Sequence, residues 1–387
     1  MLLSISWLSK EVTIYMNRRI KVLYLIPRCT KSGPIQVLEN IVKHMDERKY
    51  DLYLISIEPE NPQRTILESF SKRFKYQYIE VNKTKALLGL TNDLKRAIEK
   101  INPDVIHSTG IIPDMIISRL FPEKQILIVH ANLWIDYQYL CGKIPGYLLA
   151  LWHIGIIKKS RKAIACSKSL ADIYNKQGIH IDYIRNGVKS VTTISKSLNR
   201  EDLNLPVGMV LFLYAASFNE RKNHRFLLEV FSEIEQKIDN VGLILLGDGP
   251  TFEDLYEEYN NTSNIRFVGR VSNVVDYIHN CDFFVSSSIQ EGMPMGVLEA
   301  MSEGMPVLLS DIPQHKEIFE INDKIGFLFK LNNKKDFIEK LERILQIDKE
   351  LASLECVKTI KESFDEEKMS IQYQNMYDEI FGGRQGR

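Results

Sequence analysis

Residues 287–306 read S-S-I-Q-E-G-M-P-M-G-V-L-E-A-M-S-E-G-M-P, and the rest of the chain is understood from this stretch. It reads as the end of a strand (Phe283 to Ser288), a tight loop, a short helix and a stop. Pro294 suits the first helical position, where a missing N–H costs nothing. Gly304 suits a left-handed helix end, and Pro306 prevents continuation. Glu291 lies in the loop, and Glu299 lies eight positions on, inside the helix. The amides of Gly292, Met293 and Met295 are expected to face a ligand. A helix start leaves its first N–H groups unpaired and favours a phosphate. The two carboxylates add acceptors for hydroxyls. Phosphate plus sugar is what a nucleotide sugar presents. Two glutamates at this spacing also arise by chance in a helical protein, so the remaining sequence has to carry weight.

The chain has 387 residues, enough for two domains. Its 44% hydrophobic content is ordinary for a globular protein with a sizeable core. Lys+Arg and Asp+Glu balance at 50 each, so charge gives no reason to expect a nucleic-acid partner. Cys29, Cys141, Cys166, Cys281 and Cys356 are scattered without a C-x-x-C, which argues against disulfides or zinc and fits a reducing cytosol. No apolar run reaches the about 18 residues of a spanning helix. Ile144 to Ile157 comes nearest, interrupted by Pro145, Gly146, His153 and Gly155. Lys10 and Glu11 break the mild apolarity of residues 1–15, which lack the form of a signal peptide. They are expected to be a dispensable extension, with a weak interfacial helix as the alternative.

From Ile20 onward apolar runs alternate with amphipathic ones. Strands are expected at 20–27, 51–57, 76–81, 104–108, 126–131, 162–167 and 182–185. Helices are expected at 84–100, 113–121, 146–160 and 168–177. A second alternation starts at Met209 with V-L-F-L-Y-A-A-S and a helix over 226–238. Such alternation means parallel sheets with helices on both faces, binding ligands at the carboxyl ends of strands. The expected fold is α/β with two Rossmann-like domains, 16–190 and 191–365. The polar stretch 190–205 reads as the linker, and a final helix, 366–381, returns onto the first domain.

Several residues follow strands as ligand contacts would. Gly33 and Pro34 open a helix after the first strand, as a ligand loop or as an ordinary turn. His107 and His130 stand near strand ends. Arg221 and Lys222 form a cationic loop after V-L-F-L-Y-A-A-S. Gly247 and Gly249, in L-L-G-D-G-P, would let a helix start close to the sheet. Ile265 to Gly269 reads I-R-F-V-G.

Taken in order, the Gly-Pro loop, N-G-V at 186–188, K-N at 222–223, G-D-G-P, F-V-G and E-x7-E resemble the retaining GT-B glycosyltransferases of the group 1, or GT4-like, family. The resemblance runs from about residue 20 to 381 and implies two domains facing across a cleft. It implies a donor diphosphate held by Lys222, with Arg221 substituting for a clamp arginine that falls at Ser217 here. It implies donor contacts from Gly33, Gly247, Gly249, Gly292, Met293, Met295 and the backbone of Val268, ribose contacts from Glu299, and Glu291 and His130 beside the transferred sugar. Three further positions depart from the family pattern: Ser32 for a second glycine, Arg185 for a proline and Lys189 for an aspartate.

The sequence is therefore expected to encode a cytoplasmic, retaining glycosyltransferase. It would use a nucleotide-diphosphate sugar, UDP-linked by preference, with no cofactor and no metal, since no D-x-D stands in the donor region. The K-S-G-P-I-Q-V-L-E-N stretch resembles bacterial enzymes of O-antigen, capsule or exopolysaccharide synthesis. That implies a lipid-linked oligosaccharide acceptor at the inner face of the membrane. Ile154 to Lys162, aliphatic with four cations, is the expected contact with anionic lipid, the other reading being a core helix with a solvated basic end. A nucleotide-sugar epimerase and a non-catalytic nucleotide-sugar sensor stay open. An NAD-dependent oxidoreductase does not, because P-R-C-T-K-S-G-P lacks G-x-G-x-x-G.

Overall fold

The computed structural model describes residues 18–382, except Lys31, Gln63, Arg64, residues 192–197 and Gln236. The expectation for residues 1–15, and part of the linker, lies outside the described residues. Among described residues the chain divides into two compact units. One holds the chain up to Val129, Leu151–Ile164 and the residues from Ser370 on. The other holds His130–Ala150 and Ala165–Met369.

The first sheet has seven strands: β1 (Ile20–Ile26), β2 (Tyr50–Ser56), β3 (Lys75–Tyr78), β4 (Val105–Ser108), β5 (Gln125–Val129), β6 (Lys162–Ala165) and β7 (Asp182–Tyr183). Their order is β3-β2-β1-β4-β5-β6-β7. The second has six: β8 (Val210–Ala215), β9 (Val241–Leu246), β10 (Ile265–Gly269), β11 (Phe283–Ser286), β12 (Val307–Ser310) and β13 (Gly326–Phe329), in the order β10-β9-β8-β11-β12-β13. All ladders of the second sheet are parallel. Both are α/β sheets of Rossmann-like order, reversing direction beside their first strand. There the loops leave neighbouring strands in opposite directions and open a crevice.

The central strands read as unbroken apolar runs because helices cover both faces. Val22 to Ile26 and Leu243 to Leu246 are fully or almost fully buried. Each such side chain contributes about 1.5–3 kcal/mol.

Eight helices matter below. They are α1 (Gly33–Lys43), α2 (Leu133–Cys141), α3 (Lys143–Lys159), α4 (Lys168–Asn175), α5 (His224–Ile234), α6 (Met295–Ser302), α7 (Pro313–Ile321) and α8 (Glu366–Gly382). In the first unit α8 is stitched down by Ser370 Oγ, which donates to Ile41 O at 2.6 Å. Tyr377 Oη lies 2.8 Å from His107 Nδ1 and 3.2 Å from Tyr24 Oη. His107 is thus a core histidine.

Three expectations are corrected. The helix foreseen over 84–100 is broken into Lys83–Leu87 and Asn92–Ile101, because Gly89 takes a left-handed φ of 74° and ends the first piece. The helix foreseen over 146–160 starts earlier, at Lys143, because Pro145 falls in its first turn, where no N–H is needed. The aliphatic residues of the 154–162 segment, Ile154, Ile156 and Ile157, are buried in the core and are not a membrane face. The exposed apolar residues of α3 lie upstream, at Ile144, Tyr147, Leu148, Leu151 and Trp152.

Candidate functional site

The site grows from the two strands at the reversal of the second sheet, β8 and β11. After β11 the chain turns through Ser287–Pro294 into α6. Pro294 was expected at the first helical position and instead forms the cap, with φ −78° and ψ 80°. Its carbonyl accepts the amides of Val297 and Leu298 at 3.0 and 3.1 Å. The cause is a tight turn centred on Pro294 itself: the Met295 amide folds back onto Met293 O at 2.9 Å. Met295 is therefore not an open amide, contrary to expectation. The amides of Gly292, Met293 and Gly296 have no acceptor among the described residues. Gly304 closes α6 as expected, at φ 78°. Its amide reaches Met301 O and that of Met305 reaches Ala300 O, both at 3.0 Å, satisfying the last carbonyls.

After β8 the chain makes a short 3-10 turn, Glu220–Lys222, capped by the Asn219 side chain. Asn223 adopts a left-handed φ of 54°, which lets α5 start at once. This turn aims Lys222 Nζ at Glu291 Oε1, 2.5 Å away. Ser288 Oγ donates to the same oxygen at 2.6 Å. Tyr214 Oη donates to Lys222 O at 2.8 Å and lies 3.0 Å from Ser288 Oγ. Ser287 Oγ donates to Asn223 O at 2.8 Å. The two loops are thus sewn together over the crevice. Glu291 Oε2 accepts from no described residue. Burial pushes the Glu291 carboxyl up, but the Lys222 ammonium and the hydrogen bonds from Lys222 and Ser288 outweigh it, leaving the group below its ordinary value and ionised at neutral pH. A small cavity opens among Ala215, Ala216, Lys222, Glu291, Gly296 and Val297. A Cβ on Gly296 would narrow it, lying 3.1 Å from Ala215 O.

Arg221 and Lys222 point apart. Arg221 Nη1 pairs with Asp136 Oδ1 of α2 at 3.1 Å, while its carbonyl accepts the Ile289 amide at 2.8 Å. Ser217, standing where relatives were expected to place arginine, accepts a hydrogen bond from Asn219 at 2.9 Å. Gly247 and Gly249 serve a different approach from the one expected. They bring their turn against the 216–218 loop, where a Cβ would meet Ala216 O at 2.0 Å and Phe218 O at 2.2 Å. The turn braces the segment that leads to Arg221 and Lys222. Val268 is the extra residue of a bulge between β10 and β9, so its backbone stands outside the ladder.

His130 joins the same neighbourhood. Its carbonyl lies so close to Gly292 that a Cβ there would sit 1.8 Å away. Ser167 Oγ donates to Gly292 O at 2.7 Å. The ring is held neutral, with burial lowering its pKa to about 4. Its Nε2 is buried and has no partner among the described residues, as is also true of a ring nitrogen on each of His224 and His315. Glu299 is half-buried on α6. Gly33 belongs to the first unit, where it opens α1 after an extended Ser32 with free space at its Cβ position.

Sequence reasoning missed Ser288, Tyr214, Asp136 and His315. Ser288 could have been found in the run of three serines ending an apolar strand. His315 is buried with Nδ1 2.8 Å from Ser310 O, and burial lowers its pKa to about 4 against the pull of Glu291. Sequence reasoning also missed Glu317 of α7. It accepts the Lys168 and Ser169 amides that start α4, at 3.0 and 2.7 Å, and pairs with Arg185 at 2.7 Å. Among the described residues no group of three His, Cys, Asp or Glu side chains could jointly hold a metal.

Residues 195–356 match the family model of the glycosyl transferases group 1, and residues 32–190 match that of glycosyltransferase family 4. The O-antigen biosynthesis glycosyltransferase WclY of Escherichia coli is 23% identical over 94% of this chain and 99% of its own. The UDP-Gal:alpha-D-GlcNAc-diphosphoundecaprenol alpha-1,3-galactosyltransferase of Escherichia coli is 29% identical over 42% of this chain, a match that spans 45% of that relative. Among solved structures, Anabaena Alr3699/HepE in complex with UDP and glucose has a TM-score of 0.75 at 16% identity, covering 93% of this chain and 100% of that one.

Proposed function

Since the chain belongs to the group 1 glycosyltransferases of GT-B fold, we propose that it is a retaining, metal-independent transferase. It moves a sugar from a UDP-linked donor to a lipid-diphosphate-linked oligosaccharide during surface polysaccharide synthesis. The observation that carries this reading is the Lys222–Glu291 pair beside the open amides of Gly292, Met293 and Gly296. Cation and amides together suit a departing diphosphate, and the carboxylate suits sugar hydroxyls.

In this reading Lys222 and the amides stabilise the negative charge that builds on the leaving phosphate. Each such contact is worth about 3–4 kcal/mol in a dry site. Arg221 adds a second cation by exchanging Asp136 for phosphate. Glu291 Oε2 and His130 Nε2 receive or donate the hydrogen bonds that fix the transferred ring, and the charge of Glu291 favours the oxocarbenium-like state. Glu299 holds the ribose, and the unpaired backbone at Val268 meets the base. The bond from the anomeric carbon to the phosphate oxygen breaks. The acceptor oxygen bonds that carbon on the same face, and its proton passes to the leaving phosphate oxygen. No side-chain nucleophile is required. The acceptor class follows the names of the relatives above, and such an acceptor places the enzyme at the cytoplasmic face of a membrane.

The test is incubation with a panel of nucleotide sugars, scored by slow donor hydrolysis and then by transfer to a lipid-linked acceptor. Turnover should survive EDTA, and NMR of the product should show the anomeric configuration of the donor. An inverted product, or activity lost to EDTA and restored by Mn2+, would overturn the mechanism. Tight donor binding without turnover would make the protein a sensor.

A further inference from the structure

The water-facing side of α3 is apolar. On a helical wheel Ile144, Tyr147, Leu148, Leu151 and Trp152 share one face with Gly155, Lys158 and Lys159. Ile144 is 76% exposed and Leu148 60%. The opposite face carries Ala150, Ile154, Ile156, Ile157 and His153, all buried. The helix is therefore apolar all round yet covered on one side only. Its buried polar residue, His153, needs a partner in the core and finds Asp114 Oδ2 at 3.1 Å. A helix apolar all round belongs inside a protein or against lipid, and a contiguous exposed apolar patch marks an interaction surface.

The patch continues onto α2, where Leu140 is 73% exposed and Ile135 and Tyr139 are also exposed. The two helices meet at bare backbone. A Cβ on Gly146 would lie 2.4 Å from Tyr137 O, so the hairpin closes tightly only with glycine there. Trp134 and Tyr147 pack across it with ring centroids 5.2 Å apart. The surface is thus a braced hairpin with a fixed shape.

We propose that the outer face of the α2–α3 hairpin docks on an anionic lipid bilayer. Charge selects this occupant. Helix α3 carries no acid, Lys143 opens it, and Lys158 and Lys159 finish the apolar face, with Arg161 just beyond. Aliphatic residues would enter the acyl boundary, and the rings of Tyr147 and Trp152 would sit at headgroup depth. The lysines would meet the anionic headgroups. The docking serves the lipid-linked acceptor proposed above and rests on that reading for its purpose. It also gives Asp136 a double position. The residue sits on the docked helix α2 and holds Arg221 of the donor loop.

The experiment is sedimentation of the full chain with vesicles of phosphatidylcholine, with and without phosphatidylglycerol. The protein should pellet with the anionic vesicles only, and added salt should weaken the binding. Leu148→Ser with Leu151→Ser should weaken vesicle binding by more than about tenfold. Lys158→Ser and Lys159→Ser should each weaken it by about fivefold. Brominated lipid should quench tryptophan emission in the unaltered protein, and Trp152→Phe should lose most of that quenching. Donor hydrolysis uses no lipid and should persist in every variant, so loss of docking and loss of catalysis are read separately. Failure of the unaltered protein to pellet, or unchanged pelleting of the double leucine variant, would overturn the proposal. So would a concentration-dependent dimer, dissolved by the leucine substitutions, that binds no vesicles.

Discussion

Lys222 Nζ and Glu291 Oε1 lie 2.5 Å apart, brought together from two loops that leave β8 and β11 at the reversal of the second sheet. Glu291 is buried and Lys222 nearly so. Neither charge is at ease without the other, because a lone buried charge is far more costly than the pair. The first prediction follows from that asymmetry. Lys222→Met should lower unfolding free energy by about 2–3 kcal/mol, at the modest end for a pair that is not wholly sealed. Adding Glu291→Gln to it should restore part of the loss. Urea titrations of the single and double variants measure the coupling, and simple additivity would show that the pair is not energetically linked.

A second prediction separates the two glutamates. In the proposed site the ribose is unchanged during reaction, so contacts from Glu299 should stabilise ground and transition states alike. Glu299→Gln should then weaken donor binding by about tenfold and lower kcat less. In the same proposal Glu291 faces the centre where charge develops. Glu291→Gln should lower kcat by at least about tenfold with donor binding nearly kept. Steady-state kinetics with direct donor titration decides, and near-unaltered values for both would remove the site.

The Asp136–Arg221 pair gives a third. Both side chains keep some exposure, so the pair itself stabilises the fold by about 1 kcal/mol at most. If Asp136 competes with a diphosphate for the guanidinium, Asp136→Asn should tighten UDP binding by about threefold to tenfold at low salt. Arg221→Ala should weaken it. Calorimetric titration with UDP reads both, and weaker binding by Asp136→Asn would mean that the carboxylate orients the arginine instead.

The fourth concerns acid. Burial holds His130 and His315 near pKa 4 and His224 near 3, the last with help from Lys222. An unfolded histidine titrates near 6.5. Below that value the unfolded chain takes up protons that the folded chain refuses, so stability should fall as pH drops from about 6.5. The loss stops growing once pH passes below the folded values. Each histidine adds a slope of about 1.4 kcal/mol per pH unit. Neither ring nitrogen of His224 has a partner among the described residues, so His224→Leu should flatten the profile. Urea midpoints at pH 7 and pH 5 check this.

Much of the fold was legible because parallel strands buried on both faces write themselves as apolar runs, as β1 and β9 do. The two loops of the candidate site were legible too, since Lys222 and Glu291 each follow such a run. What no local pattern carried was direction. Adjacent Arg221 and Lys222 reach for different partners, one on α2 and one on α6's leading loop, and only the assembled loops decide which. Pro294 slipped from helix to cap for a similar reason, because the turn at Met293 had already used the Met295 amide. On α3, spacing could say that one face must be buried. It could not say that the other, equally apolar, face would be left outside.

Glu317 ties Arg185 to the start of α4. In mutational terms this makes position 185 a ratchet. Replacing the arginine by proline would leave a carboxylate that is 3% exposed without its cation, held by the two helix-start amides alone, and losing the carboxylate first would strip those amides and an arginine of their acceptor. Neither step is neutral alone. Across related sequences the two positions should therefore change together, and a chain found with proline at the first should be found without glutamate at the second.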